Sequence, residues 1–188
     1  MAGRVSFDLL RHGETGQSGF RGRLDDPLTP AGREQMRQTT RVARSWQAVV
    51  SSPLARCADF ARAFAGENHL PFALDARLAE LHFGDWEGLT ADDLMHAQPD
   101  ALARFWNDPW SFPPPNGECM AVFEQRVRGA WADLSIRYVG QPILVVTHGG
   151  VIRLLMCLAR GLARGELLRL AVPHASLHRI GAPEPAAS

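Results

Sequence analysis

Two histidines follow short apolar runs in this chain, in Leu9-Leu10-Arg11-His12-Gly13 and in Val145-Val146-Thr147-His148-Gly149. Arg11-His12-Gly13-Glu14-Thr15 sets an imidazole beside a guanidinium at the end of a strand-like segment. Phosphoryl transfer needs a nucleophile in line with the leaving oxygen and cations around the equatorial oxygens. A neutral imidazole nitrogen can attack phosphorus without first losing a proton to a partner, if a backbone carbonyl holds the other ring N–H and fixes the tautomer. Gly13 is expected to let the backbone come close to the phosphate.

A second cation comes from Ser51-Ser52-Pro53-Leu54-Ala55-Arg56, where Arg56 falls in the first turn of a helix, near its positive end. His148 supplies a further donor, and the Gly149-Gly150 helix start adds backbone N–H groups suited to an anion. The leaving alkoxide needs a proton, and Glu80 is the candidate. Beside a phosphate dianion, Leu81 and Phe83, its carboxyl is expected to act as general acid and then to activate water against a phosphohistidine. Two arginines and two histidines supply the positive charge a metal would bring, and there is no HxxH or HExxH pair, so neither metal nor other cofactor is expected.

Each of these residues has a bland alternative. A strand-end histidine is usually structural, His148 can orient a loop, Arg56 can be a helix-surface cation, and Glu80 can be a salt-bridge partner. His69, His82, His96, His174 and His178 share no ligand spacing and read as structural. Glu14 and Glu87 read as loop stabilisers, Cys57 as packing, and Trp46 and Trp131 as core.

The elements that must position these groups alternate. Val5–Leu10 reads as a buried strand. Thr29-Pro30 caps a helix to about Ser45, Gln47–Ser51 is a second strand, and Ser52-Pro53 opens a helix to about His69. Pro71–Leu74 is extended, Thr90 caps a helical stretch, and Pro99 restarts helix to about Asn107. Residues 108–118 carry four prolines and one glycine, which forbid regular structure and suggest a packed flap, or else a recognition tract. Met120–Val139 is amphipathic helix, Pro142–Thr147 a central strand, Val151–Arg160 helix, and Ala175–Ile180 a last strand. The tail over about 181–188 is expected to be frayed. The pattern implies an α/β fold: a three-layer sandwich whose mostly parallel sheet is covered by helices on both faces. One domain spans 1–188, with a small helix-and-loop lid insertion over about 88–120. Ligands of such sheets sit beyond the strand carboxyl ends, where both histidines fall.

At 188 residues, 46% apolar and 21% charged, the chain suits one soluble globular domain. Net charge is zero, so no nucleic acid or membrane partner is expected. All twenty cationic side chains are arginine, each a planar fork suited to phosphate or carboxylate. Three scattered cysteines without a CxxC suggest a reducing compartment; the amino-terminal ten residues lack a signal-peptide core, and no run approaches a membrane span. A cytoplasmic location is expected. Oligomeric state is left open, a dimer included.

RHGET, DDPLTPAG, SSPLAR, LAELHFGDWEG and VVTHGGVIR together resemble the histidine phosphatase superfamily, the phosphoglycerate-mutase-like fold, in order and approximate spacing from about Phe7 to Ile180. The resemblance implies that His12 is the phosphorylated nucleophile, that Arg11, Arg56 and His148 form the phosphate pocket, and that Glu80 is the proton donor. Gly22 then lies in the loop whose backbone helps close the pocket. The superfamily often has asparagine six residues after the nucleophile; Ser18 stands there, in a shortened loop, and Phe60 replaces a frequent threonine.

Phe105-Trp106-Asn107-Asp108-Pro109-Trp110, Pro114-Pro115-Asn116-Gly117-Glu118 and Leu81–Gly88 are most similar to the α-ribazole phosphatases, which remove a 5′-phosphate during assembly of the cobalamin nucleotide loop. Between Glu80 and Gln125 the only Arg or Lys is Arg104, while Trp86, Phe105, Trp106, Trp110 and Phe112 cluster there. Such a segment suits a small phosphate ester with a flat apolar body, with Trp106 and Trp110 as contacts, unless these rings are simply core. Arg21 and Arg23 keep a second-anion site open. The alternatives are a broad-specificity sugar-phosphate phosphatase, a phosphoglycerate mutase, or a non-catalytic binder of phosphorylated ligands.

Overall fold

The strand over Pro142–Thr147, β4 in chain order, is buried from Ile143 onward, as its unbroken aliphatic run requires of a central strand. A computed structural model describes residues 6–41 and 45–182. The other strands are β1 (Ser6–Arg11), β2 (Ala48–Ser51), β3 (Phe72–Leu74) and β5 (Leu177–Gly181). They form one sheet in the order β3-β2-β4-β1-β5, parallel except for β5, which runs antiparallel to β1.

Side chains alternate between two cores, as the two-residue period of a strand demands. Phe7, Leu9, Val50, Ile143 and Val145 face one core, and Leu10, Val49, Leu144 and Val146 the other. Helices α1 (Pro30–Thr40) and α2 (Ala55–Glu67) cover the second face through Met36, Phe60 and Ala61. The first is covered by α5 (Met120–Arg137) and α6 (Gly149–Arg160), joined by α3 (Ala91–Ala97) and α4 (Pro99–Asn107) through Leu94, Leu102 and Phe105. The fold is therefore the expected α/β class. Asp8 is buried in β1, where Arg179, opposite it on β5, makes two 2.9 Å bonds and Trp46 Nε1 donates at 2.8 Å. A buried charge is tolerated when paired in this way.

Several boundaries differ from expectation. Helix α1 ends at Thr40; residues 42–44 of its expected extension lie outside the described residues. Helix α2 starts at Ala55 rather than at Ser52-Pro53, because Asp25 from the loop between β1 and α1 accepts the Ala55 N–H at 2.6 Å and Leu54 stays extended. Residues 183–188 of the expected frayed tail also lie outside the described residues.

Candidate active site

Strands β1 and β4 are parallel neighbours with Arg11 opposite Thr147, so the residues that follow, His12 and His148, leave the sheet side by side. Their ring centroids are 5.3 Å apart. The His12 main chain is held on both sides, its N–H by Thr147 O and its carbonyl by Ala175 N, each at 3.1 Å. Its Nδ1 lies 2.8 Å from Gly13 O, so Nδ1–H donates and Nε2 keeps the free lone pair. Burial, aided by the charges of Arg56 and Arg11 and opposed by the Gly13 bond, lowers the His12 pKa to about 3. Among the described residues this is a neutral, oriented imidazole with its second nitrogen open. A Cβ on Gly13 would overlap Gly32 O, so glycine there lets α1 pack against the histidine loop.

Arg56 is almost wholly buried, and its fork is aimed by backbone carbonyls. Nη1 donates to Leu24 O at 2.6 Å, Nη2 to Gly22 O at 2.7 Å, and Nε to His148 Nδ1 at 3.3 Å. Gly22 thus enters the site through its carbonyl. Arg11 donates from Nη1 to Val172 O at 2.6 Å, and its Nη2 meets His174 Nε2 at 3.1 Å. Among the described residues the Arg11 Nε is a buried donor with no partner. Such a donor carries a desolvation cost that a bound oxyanion would relieve. Burial lowers the Arg11 pKa; Glu80 opposes this, and Arg153 and Arg56 add to it.

His148 has no exposed surface. With Nδ1 accepting from Arg56, Nε2 carries the proton to Ser52 Oγ at 2.7 Å, and burial holds its pKa well below the usual value. It stands behind the cavity wall, as does Gly149; Gly150 reaches the cavity. Glu80 closes the opposite side. Its Oε2 accepts from Gly150 N and its Oε1 from Leu81 N, both at 3.0 Å. The carboxyl therefore meets two backbone donors, one of them at the start of α6, where the sequence suggested an apolar surround. A Cβ on Gly150 would occupy the position of Glu80 Oε1, so only glycine admits this approach.

These groups border one cavity of about 790 Å³. One end is polar, with Arg11, His12, Arg56 and Glu80. The flank carries Phe20, Phe83, Phe105, Trp106 and Phe123. Ser18 and Arg21 also line it, but Arg21 is paired in a two-pronged bridge with Asp26, both contacts 2.8 Å, which removes it as a free second-anion clamp. Glu87 braces the same loop by accepting from Arg23 N at 2.8 Å and Phe83 N at 3.1 Å. Trp106 is half-exposed at the cavity. Trp110, expected as a substrate contact, is not in the cavity wall: its Nε1 bonds Glu124 at 3.3 Å and Arg164 stacks 5.0 Å from its ring. The pairing with Glu124 turns the indole away.

Two titratable lining residues escaped the sequence reading. His174 comes from the loop before β5, which crosses beside β1 and sets its ring 5.5 Å from His12; no spacing in sequence signals this. Arg153 lines the cavity one helical turn beyond Gly149 on α6, and that i, i+4 relationship was a usable signal. Among the described residues, no group of three or more His, Cys, Asp or Glu side chains is placed to hold a metal ion, and no helix is long and apolar enough to cross a membrane.

Comparison with known proteins bears on this arrangement. Residues 7–185 match the histidine phosphatase superfamily, branch 1. The adenosylcobalamin/alpha-ribazole phosphatase of Escherichia coli is 36% identical over 153 residues, 79% of this chain and 75% of that one. The putative phosphoserine phosphatase 2 of Hydrogenobacter thermophilus is 30% identical over 177 residues, 92% of this chain and 87% of that one. Mycobacterial relatives at 37% identity are matched over only 48% of their own length. Among solved structures, Bacillus stearothermophilus YhfR superposes with a TM-score of 0.85 at 31% identity, covering 98% of each chain.

Proposed function

This chain belongs to the histidine phosphatase superfamily and is a phosphatase of that family, and we propose that it cleaves phosphomonoesters through a phosphohistidine on His12. The observation that carries the reading is the neutral His12 ring, its Nδ1–H held by Gly13, facing a cavity bordered by Arg11, Arg56 and Glu80. The substrate phosphate lies between the two guanidiniums of Arg11 and Arg56, both of which border the cavity. Nε2 of His12 attacks phosphorus as the ester P–O bond breaks, and Glu80 gives its proton to the departing oxygen. Water then attacks the phosphorus of phosphohistidine, its proton passing to the Glu80 carboxylate, and orthophosphate leaves as the P–N bond breaks. His148 acts from behind by holding the Arg56 fork. No step requires a metal ion.

For the substrate body we favour α-ribazole 5′-phosphate or a related cobamide phosphate. Supporting this are the aromatic flank ending in the half-exposed Trp106, a cavity of a size suited to a nucleoside-like body, and the similarity to the Escherichia coli enzyme. Arg153 favours a second reading. It lies beside Arg11 in the same cavity; among the described residues only its Nε is hydrogen-bonded, to Leu170 O at 2.9 Å, and it would suit an ester carrying a carboxylate near its phosphate. The test is phosphate release from α-ribazole 5′-phosphate, phosphoserine, 3-phosphoglycerate and a fructose bisphosphate, compared as kcat/KM. A preference for the carboxylated or sugar esters rejects the cobamide reading. Tight orthophosphate binding without turnover of any ester would make the protein a binder.

A further inference from the structure

The segment that carries Glu80 lies in neither an α-helix nor a strand. After a single 3-10 turn at Ala76–Leu78 the backbone is extended at Ala79, so its carbonyls need donors from elsewhere. Four in a row find side chains. Arg126 Nη1 donates to Arg77 O and Ala79 O, both at 2.7 Å, Thr147 Oγ1 to Leu78 O at 2.7 Å, and Arg126 Nη2 to Glu80 O at 3.0 Å. The remaining donors of Arg126 grip Glu118, Nε to Oε1 at 2.6 Å and Nη2 to Oε2 at 2.8 Å. Glu118 in turn takes the His82 N–H at 3.3 Å and gives its own to His82 O at 2.9 Å. All five N–H groups of one guanidinium are thus engaged, three on the acid-bearing segment and two on the carboxylate that clamps its far end.

We propose that Arg126 is a positioning residue for the proton donor: it sets the Glu80 main chain so that the side chain reaches both the start of α6 and the cavity. This rests on reading Glu80 as the general acid. Arg126 is not in the cavity wall and touches no substrate, so it acts through Glu80. Lysine, with three donors on a point charge, cannot hold three carbonyls and a carboxylate at once.

The test is the dependence of kcat/KM on leaving-group pKa across a series from p-nitrophenyl phosphate to alkyl phosphates, for wild type, E80Q, R126K and E118Q. Loss of the acid lowers kcat/KM about 10²-fold or more for alkyl esters and much less for p-nitrophenyl phosphate, whose leaving group needs little protonation. R126K is expected to lose at least about tenfold on alkyl esters, within the range general-acid catalysis supplies, while orthophosphate inhibits it as it does wild type. E118Q, which keeps the carbonyl bonds, should fall between. If E80Q steepens the dependence and R126K and E118Q do not, the positioning role is wrong while the acid assignment stands. If E80Q leaves the slope unchanged, the acid assignment fails and the inference with it. Should R126K not fold, E118Q decides, and a wild-type slope there overturns the proposal.

Discussion

Arg56 Nε donates to Nδ1 of His148 across 3.3 Å, a bond that commits the imidazole to carrying its proton on Nε2, where Ser52 Oγ receives it at 2.7 Å. The relay joins the ends of β2 and β4 to α2 through three buried side chains. Ser52→Ala would leave the buried His148 N–H with only the weak acceptor Cys57 Sγ, 3.6 Å away, at a cost of about 1–3 kcal/mol. A lowered melting temperature and weaker orthophosphate inhibition are expected together. If stability falls and phosphate affinity does not, the relay does not aim Arg56.

His12 is the only proposed point of covalent attachment. In a rapid acid-quench-free trapping experiment with labelled substrate, wild type should hold label that is stable in base and released by acid. His12→Asn should hold none and lose at least about 10³-fold in kcat, as expected when a nucleophile is removed. Chelators should leave wild-type turnover intact; inhibition reversed by a divalent ion would contradict the metal-free steps.

The two indoles of the 106–110 segment should separate cleanly. Trp106→Ala is expected to raise KM for α-ribazole 5′-phosphate roughly 2–10-fold, the worth of one aromatic contact, and to spare glycerol phosphate. Trp110→Ala removes the Glu124 bond and the Arg164 stack, so it should lower the melting temperature and leave both KM values alone. The reverse pattern would put Trp110 against the substrate.

Burial is the largest cause holding His12 at a pKa of about 3 and His148 well below the ordinary 6.5. Unfolding returns both to the ordinary value, so below it the unfolded chain binds more protons and stability is lost as pH falls. Each group contributes up to about 1.4 kcal/mol per pH unit between its two pKa values. Denaturant titrations at pH 7.5, 6 and 5 should show this decline, less steep by one proton in His12→Asn. A flat profile from pH 7 to 5 would mean that these rings are not buried neutral.

The sequence alone was enough to place the strands, most helices and the residues proposed for the site. Alternating or continuous apolar runs, proline caps and ordered motif blocks are local signals, and Arg11-His12-Gly13 and Thr147-His148-Gly149 both lie at the ends of such runs. Tertiary structure decided what no local pattern encodes. The pairing of Arg11 with Thr147 brings the histidines together, and the antiparallel return of β5 delivers His174 beside His12. One guanidinium, on Arg126, finds three carbonyls from 46 to 49 positions away. Likewise, Trp106 faces the cavity and Trp110 does not because Glu124 and Arg164 claim the second ring. Burial drives most polar groups in such a site to find a partner, with Arg11 Nε the exception among the described residues, and which partner each finds depends on register and crossover, which neighbouring residues do not record.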